Sequence, residues 1–169
     1  MKIILLILMA FYCNLIFSQT INHRITDEKT GNEMLIGNCN RQAFLQSPFN
    51  EWYDVEYKTY QPNQEIIKQL SLLVNEGLHI IIVFGSWCGD SKEQVPRFLT
   101  IADQLAIDPD MIEFIAVDRK KQAPNMNIDE YKIEKVPTFI FYKNGKECGR
   151  IIETPETTLE NDMLNLLKK

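Results

Sequence analysis

The segment of this chain with the clearest chemical capacity surrounds Cys88 and reads FGSWCGDS over residues 84–91. An apolar run ends just before it, and a helical pattern begins at Cys88. The first N–H groups of a helix have no partner within the helix and carry partial positive charge, so they stabilise a thiolate placed there. The thiolate is the nucleophile in disulfide exchange, and the neighbouring carboxylate of Asp90 moderates its formation. The pattern therefore predicts a reactive thiol at Cys88.

A second thiol for this segment is not apparent, because Ser91 stands three residues after Cys88. A serine hydroxyl can hydrogen-bond a thiolate but cannot close a disulfide. Cys148 is expected opposite Phe141 on a strand, too far along that strand for the geometry of an S–S bond with Cys88. Cys39 remains open as a resolving thiol, a buried thiol or the disulfide partner of Cys148. With Cys39, Cys88 and Cys148 after residue 18, an odd number of thiols leaves at least one without an internal partner.

The sequence gives little support for a metal site, a cofactor site or a nucleic-acid-binding surface. Neither Cys nor His residues have the spacing of zinc ligands, and the chain lacks a Gly-rich phosphate loop, so we expect no metal and no organic cofactor. The net charge of −5 argues against nonspecific binding of nucleic acid. We interpret the basic run at residues 119–121 and the neighbouring Asp118 as a solvated loop, and His79 as a structural residue at a strand start.

Apolar patterns around Cys88 predict an α/β domain that positions it. The expected helices and strands alternate along the chain, and Pro96 lies inside the second helix. Their order indicates a mixed central sheet with helices on both faces. The elements are a helix over 63–77, a strand over 79–84, a helix from 88, a strand over 112–117, a short helix over 128–131, strands over 139–142 and 146–152 joined by an Asn-Gly turn, and a last helix opened by a Thr157–Glu160 capping box.

The chain before residue 63 is interpreted as two segments. Residues 1–18, with Lys2 before an apolar run, predict a signal peptide cleaved after Ser18, although an uncleaved anchor fits the same pattern. The run is shorter than the roughly 20 residues of a spanning helix, and bulky residues before Cys13 argue against a lipoprotein. We therefore expect a secreted protein, periplasmic in a Gram-negative bacterium, with no stable membrane insertion after cleavage. Residues 19–62 form an N-terminal extension whose aromatic side chains are expected to pack against the core.

Taken in order, the features over residues 63–169 resemble the thioredoxin superfamily. The resemblance rests on the Trp-Cys-x-x-Ser segment after a buried strand, on Pro96 eight residues later and on residues 136–139, which read VPTF before the Asn-Gly hairpin. Trp-Cys-Gly-Asp-Ser in particular is similar to a branch of bacterial thioredoxin-like proteins. The resemblance implies that Cys88 is an exposed nucleophile and that Pro137 is cis and adjacent to it. It also implies a groove for an extended substrate, formed with Trp87, Gly89, Asp90 and Val136.

The departure from that family pattern is Ser91, which stands where a dithiol thioredoxin has its second cysteine. The prediction is therefore a thiol–disulfide exchange protein of oxidoreductase or isomerase type, with Cys88, Ser91 and Pro137 as its catalytic set. Cys88 would form a mixed disulfide that another thiol resolves. The expected partners are protein or small-molecule thiols and disulfides, and the expected state is a monomer. The alternative is a redox-inactive binding or chaperone module with the same fold.

Overall fold

The computed structural model describes residues 21–74 and 77–168, so the predicted signal peptide at residues 1–18 lies outside the described residues. The strands of the described part are β1 (Arg24–Thr26), β2 (Glu33–Leu35), β3 (Gly37–Cys39), β4 (Leu78–Phe84), β5 (Ile112–Ala116), β6 (Thr138–Lys143) and β7 (Lys146–Ile152). The α-helices of the same part are α1 (Asn50–Thr59), α2 (Gln64–Leu70), α3 (Gly89–Gln104) and α4 (Leu159–Leu167).

The central sheet has five strands in the order β3-β5-β4-β6-β7, and β1 pairs with β2 in a separate hairpin. The β4–β5 pair is parallel, whereas the other pairs are antiparallel. The central strand β4 reads LHIIIVF and is buried along almost its whole length. A continuous run of β-branched and apolar residues suits such a position, because both faces of the strand are covered. The predicted α/β fold with a mixed sheet is confirmed.

The two faces of the sheet carry different layers. Ile82 and Phe84 of β4 point into an apolar cluster to which all four α-helices contribute. Ile81 and Val83 point into a smaller cluster on the opposite face. The helical element that contributes to this second face is a 3-10 helix, Ile128–Tyr131. Helical structure therefore covers both faces, but most of it lies on one.

The aromatic residues between positions 44 and 60 pack into or against the main core, as expected. Phe44, Phe49 and Tyr53 are almost fully buried, and Phe44 and Tyr53 stack with ring centroids 5.7 Å apart. Helix α1 packs against α3, and β3 adds an edge strand beside β5. Since these elements share one core with the rest of the chain, they are structural parts of the domain.

Helix α4 begins differently from the prediction. Its N-cap is Thr158, so the expected capping box of Thr157 with Glu160 is wrong. The Glu160 side chain is buried and accepts hydrogen bonds from the Tyr60 hydroxyl (2.6 Å) and the Asn63 backbone N–H (3.0 Å). A buried carboxylate requires such partners, and here distant donors supply them in place of the local backbone.

The hairpin between β6 and β7 has the predicted Asn-Gly turn, with φ of 51° at Asn144 and 77° at Gly145. Two positive φ angles in succession are those of a type I′ turn. The pairing of β6 with β7 shifts after Phe141, which faces Gly149, so Cys148 lies in a β-bulge. The expectation that Cys148 faces Phe141 is therefore wrong by one residue.

Within residues 21–74 and 77–168, no helix has both the length and the apolar character needed to cross a bilayer.

Candidate functional site

Cys88 lies where β4 leads into α3, in the position that the sequence predicts. It is the N-cap residue of α3, with extended backbone angles (φ −91°, ψ 132°). Its N–H donates to the Gly85 carbonyl (2.8 Å), and its own carbonyl accepts the first bond of the helix from the Lys92 N–H (3.1 Å). This tight turn places the Cys88 side chain at the positive end of a 16-residue helix.

The Cys88 sulfur is half-buried and faces a carbonyl group from a different part of the chain. Its S–H donates to the Val136 carbonyl oxygen, with Sγ and O 3.3 Å apart, and the Val136–Pro137 peptide bond is cis. The Asp90 carboxylate lies 4.0 Å from the same sulfur. The sulfur therefore lies between two acceptor oxygens and the positive end of the helix.

Ser91 does not hydrogen-bond the Cys88 sulfur. Its side chain is fully buried, and its hydroxyl oxygen accepts from the Gly85 backbone N–H (3.2 Å). The neighbouring Ser86 hydroxyl accepts from the Leu35 backbone N–H (2.9 Å). Both serines bind backbone amides and so hold the turn around Cys88 in shape. The expected stabilisation of the thiolate by the Ser91 hydroxyl is not seen.

Trp87 forms a fixed wall next to Cys88. Its indole N–H donates to the Val117 carbonyl oxygen at 2.8 Å. The ring lies so close to Gly85 that a Cβ atom built there would be 2.6 Å from indole Cε2. Glycine at position 85 is therefore required by the close approach of the indole to the backbone.

The other predicted groove residues surround Cys88 in different ways. Gly89 is exposed, and a Cβ atom built there would meet no atom within 4 Å. Asp90 is half-buried and faces the sulfur. Val136 and Pro137 are buried, so Val136 presents its backbone carbonyl to Cys88. This set forms a shallow surface beside the thiol.

Arg119 and Asp27 are part of this environment and were missed by the sequence analysis. The Arg119 guanidinium lies over the Trp87 ring, with Cζ 4.8 Å from the ring centroid. Its Nε and Nη2 donate to the two carboxylate oxygens of Asp27, at 2.9 and 2.7 Å. Asp27 is 3% exposed and also accepts from the Thr30 hydroxyl and the Lys29 N–H. Arg119 lies in a loop, as predicted, but its side chain is 31% exposed and paired with a buried carboxylate, so the expectation of a merely solvated residue is wrong for Arg119.

The pKa of the Asp27 carboxyl lies far below its ordinary range. The main cause is the pair of hydrogen bonds from Arg119, followed by the one from Thr30. The Thr-Gly sequence after Asp27 indicates a turn, but no local signal identifies a partner 92 residues away.

Neither of the other two cysteines in the described chain is placed to act on Cys88. Cys39 is buried in β3 and pairs with Phe114 of β5, and desolvation raises the pKa of its thiol to about 12. Since β5 separates β3 from β4, Cys39 lies about 10 Å across the sheet from β4, at roughly 4.8 Å per strand. A disulfide needs Cα atoms within about 7 Å. The structure therefore argues against Cys39 as the resolving thiol.

Cys148 is half-buried on β7, at the sheet edge opposite to β3. The possible disulfide between Cys39 and Cys148 is contradicted, because the two residues lie on opposite edge strands and both are free thiols. All three cysteines of the described residues are therefore free thiols, and their places in the fold keep them apart.

A cavity of about 750 Å³ opens at the other end of the parallel strands. It is lined by His79 at the start of β4, Asp103 near the end of α3 and Glu113 on β5, among others. Cys88 follows the carboxyl end of β4, so this cavity is separate from the thiol site. Among the described residues, no group of three or more His, Cys, Asp or Glu side chains is arranged to hold a metal ion.

Comparison with known proteins identifies the family of this chain. Residues 58–165 match the family model for thioredoxin. This chain belongs to the thioredoxin family. Putative thioredoxin-5 of Dictyostelium discoideum is 31% identical over 97 residues, which cover 56% of this chain and 87% of that protein. Chloroplastic thioredoxin Y of Oryza sativa subsp. japonica is 34% identical over 71 residues, or 42% of this chain.

The match to the thioredoxin Y proteins is partial, since this thioredoxin-family chain spans 39% of the rice protein and 44% of thioredoxin Y1 of Arabidopsis thaliana. A crystal structure of a protein of unknown function from Pseudomonas aeruginosa has a TM-score of 0.53 at 11% identity, covering 79% of this chain and 86% of that one. That likeness concerns the fold alone. The thioredoxin match includes Cys88 and Pro137 but begins after the β1–β2 hairpin and Asp27.

Proposed function

We propose that this thioredoxin-family protein carries out thiol–disulfide exchange outside the cytoplasm, with Cys88 as its single nucleophile. The observation that carries the proposal is the half-exposed Cys88 sulfur at the start of α3, 3.3 Å from the Val136 carbonyl oxygen. The helix start favours the attacking thiolate, and the exposure lets a substrate disulfide approach. Membership of the thioredoxin family supports the same class of chemistry.

The exchange proceeds in two balanced steps. In the first, the Cys88 thiolate attacks one sulfur of a substrate disulfide, so that a new S–S bond forms at Cys88 and the other substrate sulfur leaves as a thiolate. In the second, an external thiolate attacks the substrate sulfur of this mixed disulfide, and Cys88 leaves as a thiolate. The external thiol is joined to the substrate by a disulfide, and the protein returns to its starting state. The co-reactant is therefore a protein thiol or a small-molecule thiol.

The surroundings of Cys88 support the proposed single-cysteine mechanism. Ser91 is buried and engaged with the Gly85 amide, and a hydroxyl cannot resolve a disulfide. Cys39 is buried in β3, and Cys148 lies on the opposite edge strand. A mixed disulfide at Cys88 should therefore persist until an external thiol arrives. Trp87, Gly89, Asp90 and the Val136 backbone form the surface against which an extended substrate segment would lie, and Pro137 shapes it.

The proposal is tested by incubating the purified protein with oxidised glutathione and mapping the adduct by peptide mass spectrometry. We expect a glutathione adduct on Cys88 that an added thiol removes. Cys88→Ser should lose this adduct, whereas Cys148→Ser, the matched control, should retain it. If Cys88 reacts with neither glutathione disulfide nor alkylating reagents until denaturant is added, the exchange mechanism is wrong. That result would favour the alternative, a redox-inactive binding module.

The location is tested separately, because it depends on residues 1–18. We propose that this segment directs export and is cleaved after Ser18. N-terminal sequencing of the protein from the extracytoplasmic fraction of the expressing cells should then begin at Gln19. Recovery of the intact chain in the cytoplasmic fraction would contradict the proposal without bearing on the chemistry of Cys88.

A further inference from the structure

The β1–β2 hairpin reaches the Cys88 site at two points. The Leu35 backbone N–H at the end of β2 donates to the Ser86 hydroxyl, two residues before Cys88. Asp27, in the turn that follows β1, holds the Arg119 guanidinium that covers Trp87. The residues that match thioredoxin, 58–165, include Ser86, Trp87 and Arg119 but not the hairpin, so these contacts join the matched region to the chain before it.

Arg119 is fixed in orientation by its contacts. Two of its nitrogens, Nε and Nη2, bind the two oxygens of Asp27, a bidentate arrangement that holds the guanidinium plane. That plane lies on the Trp87 indole, which is itself anchored to the Val117 carbonyl oxygen. The Arg119 side chain is 31% exposed, so it is partly desolvated and not free to swing into solvent.

Arg119 and Cys88 also interact through their charges. The pKa of Arg119 is raised, first by the hydrogen bonds to Asp27 and, as a smaller contribution, by the negative charge of an ionised Cys88. Opposite charges attract each other, and the Arg119 guanidinium stacks on the indole of Trp87, the residue that directly precedes Cys88. Its positive charge is therefore placed beside the group that the proposed reaction uses.

We propose that Arg119 is a positioning residue of the Cys88 site: clamped by Asp27 of the N-terminal hairpin, it holds the Trp87 indole beside the sulfur and supplies positive potential that favours the thiolate. The role of Arg119 in exchange rests on the proposed function. Its effects on the position of Trp87 and on the potential at Cys88 can be measured even if that function is wrong.

The charges around Cys88 come from five parts of the chain. Asp90 on α3 opposes the thiolate at 4.0 Å. Lys135, just before Val136, is paired with Glu153 at 2.5 Å. Arg119 follows β5, and Asp27 from the hairpin offsets part of its charge. The expected effect of Arg119 is therefore smaller than that of an isolated cation.

The test compares two alkylating reagents of different charge at Cys88, anionic iodoacetate and neutral iodoacetamide, with the modified peptide quantified by mass spectrometry. The rate with iodoacetate divided by the rate with iodoacetamide reports the electrostatic potential at the sulfur, because a positive potential favours the anionic reagent. Arg119→Gln should lower the ratio at least about twofold at low ionic strength, the size expected for a screened charge near the surface. Lys120→Gln, the matched control, removes an exposed cation of the same loop and should leave the ratio unchanged.

Two further variants, Arg119→Lys and Asp27→Asn, separate the effect of the Arg119 charge from its effect on the position of the Trp87 indole. Arg119→Lys keeps the cation without the planar fork, so it should retain most of the rate ratio but loosen the indole. In a Trp52→Phe background, Trp87 is the sole tryptophan, and iodide should quench its fluorescence more strongly in Asp27→Asn and Arg119→Lys than in the parent. Equal rate ratios for Arg119→Gln and Lys120→Gln, or unchanged quenching, would overturn the proposal. Alkylation requires only a thiol, so these results stand even if Cys88 fails to form a mixed disulfide with glutathione.

Discussion

At the scale of single residues, the side chain at position 91 determines whether Cys88 has a second thiol beside it. The Ser91 side chain is fully buried and accepts a hydrogen bond from the Gly85 amide, so it supports the turn around Cys88 and does not hydrogen-bond the sulfur. Cα atoms three residues apart in a helix lie about 5 Å apart, which is within the roughly 4.4–6.8 Å that a disulfide spans between Cα atoms. The backbone at Cys88 and Ser91 is therefore compatible with a dithiol, and the side chain at position 91 alone prevents one.

We expect Ser91→Cys to convert the site to an intramolecular resolving mechanism. The glutathione adduct on Cys88 should disappear at least about tenfold faster, because the new thiol is held close to the mixed disulfide and acts at high effective concentration. The measurement is a mass-spectrometric time course of the adduct after excess disulfide is removed. Ser71→Cys, which adds a thiol on the exposed turn after α2, is the control. Equal adduct lifetimes in the two variants would contradict this account of position 91.

At the scale of elements, α4 shows how a helix start depends on more than its own sequence. The Thr158 hydroxyl accepts from the Asn161 backbone N–H at 3.3 Å, as an N-cap does. Glu160 binds Tyr60 and Asn63, which ties α4 to the chain between α1 and α2. Burial, the largest influence, raises the pKa of Glu160, but the hydrogen bonds from Asn63 and Tyr60 outweigh it and leave the pKa lowered.

The cap assignment predicts which threonine matters for stability. Thr158→Ala should lower the free energy of unfolding by about 1 kcal/mol, the usual cost of losing an N-cap side chain. Thr157→Ala removes the neighbouring hydroxyl, whose contacts with Asn161 and Asp162 are exposed, and should cost less. Urea unfolding of both variants measures the difference. A larger loss for Thr157→Ala would mean that the helix begins one residue earlier.

At the scale of the whole molecule, the fold separates a half-exposed thiol, Cys88, from a buried one, Cys39. Cys88 lies beyond the carboxyl end of β4, whereas Cys39, on edge strand β3, is buried in the apolar cluster that the helices cover. Desolvation raises the pKa of the Cys39 thiol to about 12 from an ordinary 9.0. The folded protein therefore keeps this proton over a range of alkaline pH in which the unfolded chain has lost it.

This difference predicts a loss of stability at alkaline pH. Because the unfolded state releases the Cys39 proton near pH 9 and the folded state only near pH 12, unfolding becomes more favourable as pH rises between the two. The contribution is about 1.4 kcal/mol per pH unit over that range. Urea unfolding between pH 8 and pH 11 should show a shallower decline for Cys39→Ala than for the parent. Tyr53 and Tyr60, whose pKa values are also raised by burial, contribute equally to both proteins, so identical slopes would contradict the assignment to Cys39.

The sequence by itself determined the features that depend on neighbouring residues. The strand that ends before Cys88, the helix that begins there, the Asn-Gly hairpin and the order of elements all follow from the spacing of apolar residues and from turn chemistry, which act over a few positions. The resemblance carried by residues 84–91 and 136–139 pointed to the fold and to the site for the same reason, because each motif is contiguous.

Only the tertiary structure decided the partners of polar groups that lie far apart in the chain. Asp27 meets Arg119, Glu160 meets Tyr60, and Cys39 occupies an edge strand, although nothing in the adjacent residues specifies these outcomes. A buried charge takes whichever donor the packed core brings within reach. That choice depends on strand register and helix packing, which are properties of the assembled chain and not of any short segment.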